Sequence, residues 1–251
     1  MEDCILVCTP MATGCKLSKD DESPNANQTL YRSMIGNLLY VTTTRPDIMQ
    51  TVGYVARFQA TPNEARVHAI KRIFKYLKGI MEYGLWYPTG NDFLFTSYTD
   101  ADWGGSVDDW KSTSGGTFFL GKCLVSWHSK KQAPVSLSTA EAEYIAAVSC
   151  CTQVLWMKQT LQDFKVYFSQ PIPILCDNMS AISISKIPVL HSRTKHIPIK
   201  YHFLREQVSD QQVKLEYVST KDQLADIFTK PLPKDTFERI RQQLGVISLH
   251  Y

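Results

Sequence analysis

The chain has 251 residues, enough for one large domain or two small ones, and 44% are apolar, which allows a sizeable core and argues against a disordered chain. The net charge of +3 is too mild to demand or forbid a nucleic-acid partner, so the placement of charge has to decide. No run approaches 18 apolar residues, and Met1 to Cys8 lacks the basic start and long apolar core of a secretion signal. Seven cysteines, none in the paired short spacing of a zinc site, read as reduced thiols of an intracellular protein, cytoplasmic or nuclear, with no membrane partner.

Residues 1–28 end in a polar run, Ser18 to Asn27, read as a poorly ordered lead-in. Residues 29–90 read as a helical segment. Leu30, Met34, Leu38 and Val41 recur at helical spacing, and Thr44-Arg45-Pro46-Asp47 marks a new start with Pro in its first turn. Thr61-Pro62-Asn63-Glu64 reads as a capping box opening a third helix, with Val67, Ile70, Phe74 and Leu77 as its apolar stripe and Gly79 as its end. Lys71, Lys75 and Lys78 share another face of that helix. They are either a solvated surface or a rail for a phosphate backbone.

From about residue 92 the period changes. Residues 93–99, 117–120 and 124–128 are short aromatic and β-branched runs, bounded by Gly104-Gly105, Gly115-Gly116 and Gly121-Lys122, and predict three antiparallel strands. A long helix follows over 138–164, then a strand at 172–176, a short helix at 178–186, a basic turn and helix over 191–207, a strand at 213–218 and a helix from Lys221. The order is βββαβααβα, over 91–233. An amphipathic helix and tail, 234–251, close the chain.

Hydrolysing a phosphodiester at neutral pH needs an activated water and neutralised phosphate charge, which two metal ions about 3.5–4 Å apart supply together. Magnesium asks for hard oxygen ligands and keeps several waters, so a few carboxylates converging from several elements suffice. Each candidate has a structural rival. Asp102, two residues beyond Asp100, reads as a turn acid before Gly104-Gly105 or an accessory ligand. Ser138-Thr139-Ala140-Glu141 is a capping box, which occupies Glu141 and leaves Glu143, about 200° further round, to be explained. Asp177 follows a strand, where α/β sheets place their chemistry, but a helix N-cap is the alternative. Thr220-Lys221-Asp222-Gln223 is another possible capping box, with Asp226 one turn deeper. His191, His196 and His202 lie within twelve residues but not at zinc spacing.

Tyr98-Thr99-Asp100-Ala101-Asp102-Trp103 resembles the first strand of a ribonuclease H. Ser138 to Ala146 resembles its first helix, Leu175-Cys176-Asp177-Asn178 its fourth strand, and Thr220 to Leu232 its last helix. With Thr44 to Ile48 and His191 to Ile197, these motifs resemble the C-terminal end of a copia-type retrotransposon Pol polyprotein, over about residues 30–245. The resemblance implies a ribonuclease H-like α/β fold, a mixed five-stranded sheet flanked by helices, after a helical segment like the thumb and connection of a reverse transcriptase. It implies an endoribonuclease that cuts the RNA strand of RNA–DNA hybrids. Two Mg2+ ions, replaceable by Mn2+, would be held by Asp100, Glu143, Asp177 and Asp226. The implied nucleic-acid contacts are Lys71, Lys75, Lys78, Thr139, Asn178, Arg193 and Lys195, and the implied partner is the rest of a Pol polyprotein. The Tyr-x-Asp-Asp motif of a polymerase is absent from this chain; Asp20-Asp21 lies in a polar run without it. Two departures from cellular ribonucleases H stand out: no His precedes the last motif between Val218 and Asp222, and the basic region 187–200 is compact. A non-catalytic nucleic-acid-binding remnant of a decayed element is the rival reading, and a purely structural domain the third.

Overall fold

A computed structural model describes residues 4–90, 93–186 and 197–248. The chain forms two compact units: Met1–Tyr87, Ser106–Asp109 and Lys230–Tyr251 make the first, Pro88–Gly105 and Trp110–Thr229 the second. No described helix is long and apolar enough to cross a membrane.

The first unit opens on coil. Its polar residues are tied down from helices later in the chain: the Tyr54 hydroxyl accepts from Leu17 N–H at 2.9 Å and donates to the Leu17 carbonyl at 3.2 Å, and the Arg66 guanidinium donates to the Ser18 carbonyl at 2.6 Å. Helix α1 (Gln28–Val41) starts where the Asn27 side chain accepts from Leu30 N–H. A short 3-10 turn, Pro46–Ile48, leads into α2 (Met49–Ala56). Helix α3 (Glu64–Gly79) is capped by Asn63, whose side chain accepts from Arg66 N–H, and not by Thr61 as the capping-box spacing predicts. Pro62 therefore precedes the cap. The buried row of α3 is Arg66, Ile70, Ile73 and Tyr76, shifted from the expected stripe, with Val67, Phe74 and Leu77 only half-buried. Strand β1 (Tyr83–Leu85) ends this part.

The second unit is built on β2 (Phe95–Asp102), β3 (Thr113–Leu120) and β4 (Cys123–Lys131), an antiparallel meander. Each strand runs longer than its aromatic, β-branched segment. Gly115 and Gly116 lie inside β3 and do not bound it. A Cβ on Gly115 would meet the Ala225 carbonyl oxygen at 2.8 Å and the Phe228 Cβ at 2.9 Å, so the glycine marks close approach of another backbone. Helix α4 (Thr139–Asp163) follows; Ala142, Ala146 and Ala147 let its first half sit tightly over the sheet. Then come β5 (Ile172–Cys176), α5 (Met179–Lys186), α6 (Phe203–Ser209) and β6 (Val213–Tyr217). The sheet order is β4-β3-β2-β5-β6, with β2, β5 and β6 parallel. This is the mixed five-stranded, helix-flanked sheet of the ribonuclease H-like fold. Its core joins Phe95, Phe118, Ile172, Ile174, Val213 and Leu215 to α4. The helix expected from Lys221 is absent. Two 3-10 turns, Thr220–Asp222 and Leu224–Phe228, stand there instead, because Gln223 between them is extended and donates its side-chain amide to the Thr99 carbonyl at 2.9 Å.

The last segment returns to the first unit. Helix α7 (Lys234–Gln243) places Phe237 edge-on to Tyr76, with ring centroids 5.6 Å apart, and β7 (Val246–Ser248) pairs antiparallel with β1.

Candidate active site

Strand pairing brings two acids together toward the carboxyl ends of the neighbouring inner strands β2 and β5. Tyr98 of β2 is level with Leu175 of β5 in a parallel ladder. Two residues on, Asp100 and Asp177 therefore emerge at the same level, side chains on the same face by the two-residue period. Asp100 does not sit where β2 runs out: the strand continues to Asp102, and Asp100 pairs with Gly115. Asp102 lies against Gly105, at the turn.

Helix α4 supplies the third acid. Ser138 caps it, accepting from Glu141 N–H at 3.2 Å, while the Glu141 carboxylate accepts from Leu137 N–H at 2.7 Å. Glu141 thus closes the helix start, one residue further back than a standard box. Glu143 turns the other way. Its carboxyl accepts from the Ala101 backbone and shares a hydrogen bond with Asp100. Burial first, then the Asp100 and Asp177 charges, push the Glu143 carboxyl far above its ordinary range. Its Oε2 is buried and has no hydrogen-bond partner.

Two threonines orient the aspartates. Thr220 donates to Asp177 Oδ2 at 2.7 Å, and Thr229 donates to Asp100 Oδ2 and to the Asp226 carbonyl. Asp226 is buried, on the 3-10 turn Leu224–Phe228, whereas Asp222 is exposed and takes the Ser219 hydroxyl. The helix α5 N-cap falls to Asn178, whose Oδ1 accepts from Ala181 N–H at 3.0 Å, so Asp177 is spared that role. Sequence reasoning missed Thr220, Thr229 and Cys176. The two threonines stood within the quoted motif, and the alternation Ile172, Ile174, Cys176 put the thiol on the buried side of β5.

A carboxylate oxygen from Glu143, one from Asp177 and the Cys176 sulfur all lie within 4.8 Å of one another. Crowded carboxylates with an orphaned buried oxygen fit a divalent cation, which would replace mutual repulsion by attraction. Of the nucleic-acid contacts expected from sequence, Thr139 is exposed at the start of α4 and Asn178 is engaged as a cap. Lys71 is exposed, and Lys75 and Lys78 are half-buried, all on α3 of the first unit. Arg193, Lys195, His191 and His196 lie outside the described residues; His202 has Nδ1 3.4 Å from the Tyr144 hydroxyl.

No family model matches the chain. It is 38% identical over 97% of its length to the retrovirus-related Pol polyprotein from transposon RE2 of Arabidopsis thaliana, covering 17% of that protein. It is 39% identical over 96% of its length to that from transposon TNT 1-94 of Nicotiana tabacum, covering 19%. The chain thus spans under a fifth of these curated relatives. Among solved structures, LC11-RNase H1 in complex with RNA/DNA hybrid overlaps 54% of this chain and 93% of its own at a TM-score of 0.39 and 13% identity, a likeness too low to carry an assignment. The near full-length sequence identity does carry one: the chain belongs to the retrovirus-related Pol polyproteins of copia-type retrotransposons.

Proposed function

We propose that the second unit is a ribonuclease H: an endonuclease that hydrolyses the RNA strand of an RNA–DNA hybrid. The observation that carries this reading is the convergence of Asp100, Glu143 and Asp177 toward the carboxyl ends of β2 and β5, with Glu143 buried and its Oε2 unpartnered. Asp226, on the 3-10 turn that Thr229 links to Asp100, completes the set.

In this reading Asp100, Glu143, Asp177 and Asp226 hold two Mg2+ ions, with Mn2+ able to substitute. Bound there, the ions supply a nucleophilic water and neutralise charge on the phosphate. The chain's own residues do the rest. Thr220 and Thr229 fix the aspartate rotamers, so little reorganisation is needed when the substrate arrives. Glu143 approaches from the helix side, giving the ligand set a third direction. The RNA strand offers 2′-hydroxyls in a wide minor groove, and a DNA strand offers none, which selects hybrid over duplex DNA. Lys71, Lys75, Lys78, Thr139, Asn178, Arg193 and Lys195 are the residues assigned to the nucleic acid, and the remainder of a Pol polyprotein is the partner. In-line attack by water leaves a 5′-phosphate and a 3′-hydroxyl.

The test is cleavage of a labelled hybrid by the purified chain, with Mg2+ or with chelator. Asp177→Asn and Glu143→Gln should abolish cutting while the fold persists. Glu141→Gln should keep it, because the amide oxygen still accepts from Leu137 N–H. A wild-type chain inert on hybrid with Mg2+, or one that cuts duplex DNA as fast, would overturn the assignment.

A further inference from the structure

The buried row of β5, Ile172, Ile174 and Cys176, faces the core beneath α4, and its last member reaches the level of Glu143. Cys176 is wholly buried, and its sulfur accepts from Asn178 N–H at 3.4 Å. The sulfur and the carboxylate oxygens of Glu143 and Asp177 lie within 4.8 Å of one another, a span that small side-chain rotations around one ion would close. Magnesium has no use for sulfur, since it takes hard oxygen ligands. Zinc and cadmium do, because thiolate is the soft ligand that selects them. The second observation is the carboxyl of Glu143: the residue is 6% exposed and its Oε2 lacks a hydrogen-bond partner.

From this juxtaposition we infer that Glu143, Cys176 and Asp177 form a mixed oxygen–sulfur site for a thiophilic divalent cation, with Cys176 as the ligand that discriminates it from magnesium. The ion enters past Asp177, which is half-buried, and the Cys176 thiol gives up its proton to buffer as the metal–sulfur bond forms. Such an ion would compete with the hard cations of the proposed nuclease and hold the site in a geometry they do not use. The inference shares Glu143 and Asp177 with that nuclease but does not rest on cleavage, because the ion is detected without nucleic acid.

The experiment is a cadmium titration of the full chain, followed by the sulfur-to-cadmium charge-transfer absorption in the ultraviolet. Cys4, Cys8, Cys15 and Cys123 are at least partly accessible and are first alkylated on the folded protein. The expected result is a saturable band at one equivalent. Cys176→Ser should remove the band and weaken cadmium by more than about tenfold, the low end of what loss of a supporting partner alone costs. Its magnesium affinity, read by calorimetry, should stay within about twofold, since magnesium gains nothing from sulfur. Glu143→Gln keeps the thiol, removes the charge, and should also lose the band, so the test survives if Cys176→Ser fails to fold. A band unchanged in Glu143→Gln would place the signal on other thiols and overturn the site. A Cys176→Ser chain binding cadmium as tightly as the wild type would do the same. A chain inert on hybrid that still shows the band would sink the nuclease alone, and one that cuts hybrid without the band would sink this site alone.

Discussion

The carboxyl of Glu143 is buried in low-dielectric surroundings beside Asp100 and Asp177, and all three raise its affinity for a proton. In an unfolded chain the same group titrates near its ordinary value of 4.5. The folded value being the higher, the stability this group contributes is complete below about pH 4.5 and is lost as pH rises toward the folded value, because the unfolded state then sheds the proton first. With chelator present, the wild-type melting temperature should therefore fall from about pH 5 to about pH 10, the window between the two titrations. Glu143→Gln carries no such proton and should melt higher than wild type at the upper end, with a flatter profile. Saturating Mg2+ should reverse the wild-type slope, since metal and proton compete for the same oxygens. Thermal melts across pH with chelator or Mg2+ check this; a Glu143→Gln profile parallel to wild type would show that Glu143 does not set it. His128 works in the opposite direction. Half-buried over Gly116 and pushed down to about 4 by burial of its ring and then by Lys130, it contributes stability above its usual titration point of 6.5 that is lost as pH falls toward 4. The two groups act at different ends of the scale and can be separated by single substitutions.

Among the elements, the sheet was the most legible part. Its strands contain aromatic and β-branched runs and α4 carries a capping Ser, so element order and class follow from local pattern, and the capping box with the helix angle sets Glu141 apart from Glu143, which the family resemblance then singles out. What stayed hidden depends on contacts far apart in sequence. Gly115 reads as a turn because its reason is the Ala225 carbonyl 110 residues later (225 − 115), which leaves no trace in the neighbouring residues. The composition of Leu224–Phe228 suits a helix, but Gln223, pulled out to bond the Thr99 carbonyl, makes it a 3-10 turn. Gly115→Ala should cost about 1–3 kcal/mol through overpacking, since two of its three near contacts, the Ala225 carbonyl and the Phe228 Cβ, lie in or next to backbone that cannot rotate away. It should also cut hybrid cleavage at temperatures where the chain stays folded, by displacing the turn that carries Asp226. Urea midpoints and cleavage rates measured together distinguish this from mere loss of packing. In the first unit the Thr44 to Ile48 motif gains a structural reason. Arg45 makes a bidentate pair with Asp47, at 2.9 and 2.7 Å, and the Tyr76 hydroxyl donates to the same carboxylate at 2.5 Å, all buried. Asp47→Ala leaves the Arg45 cation buried without its counter-charge and should cost about 3–5 kcal/mol. Adding Arg45→Met to that variant should recover much of the loss. A loss below about 1 kcal/mol, as for an exposed pair, would contradict the burial.

At the scale of the molecule, the first unit draws on both terminal stretches and on Ser106–Asp109, and the second unit takes most of the sequence between them. Local periodicity cannot show this, because the joining contacts are remote: Arg241 donates to the Tyr76 hydroxyl at 3.3 Å across 165 positions. The same guanidinium lies 4.5 Å from the Tyr83 ring centroid, Phe237 packs edge-on to Tyr76, and β7 pairs with β1 through Tyr83↔Ser248, Gly84↔Ile247 and Leu85↔Val246. Ending the chain after Thr229 deletes every one of these partners and leaves the Thr229 bond to Asp100 in place. A lone three-residue strand cannot persist without its partner, and Tyr76 loses the aromatic and cationic cover on one side. The truncated chain should therefore lose hydrogen-exchange protection in α3 and β1 while β2, β3, β5 and β6 keep theirs. It should expose new protease-sensitive sites within residues 28–87, whereas 93–186 should stay resistant. Supplying residues 230–251 as a separate peptide should restore protection to α3 in proportion to its concentration. Unchanged protection in α3 would show that α7 and β7 are an appendage. Loss throughout the five-stranded sheet would show that the two units fold as one, and that the inserted unit needs the closure of the other.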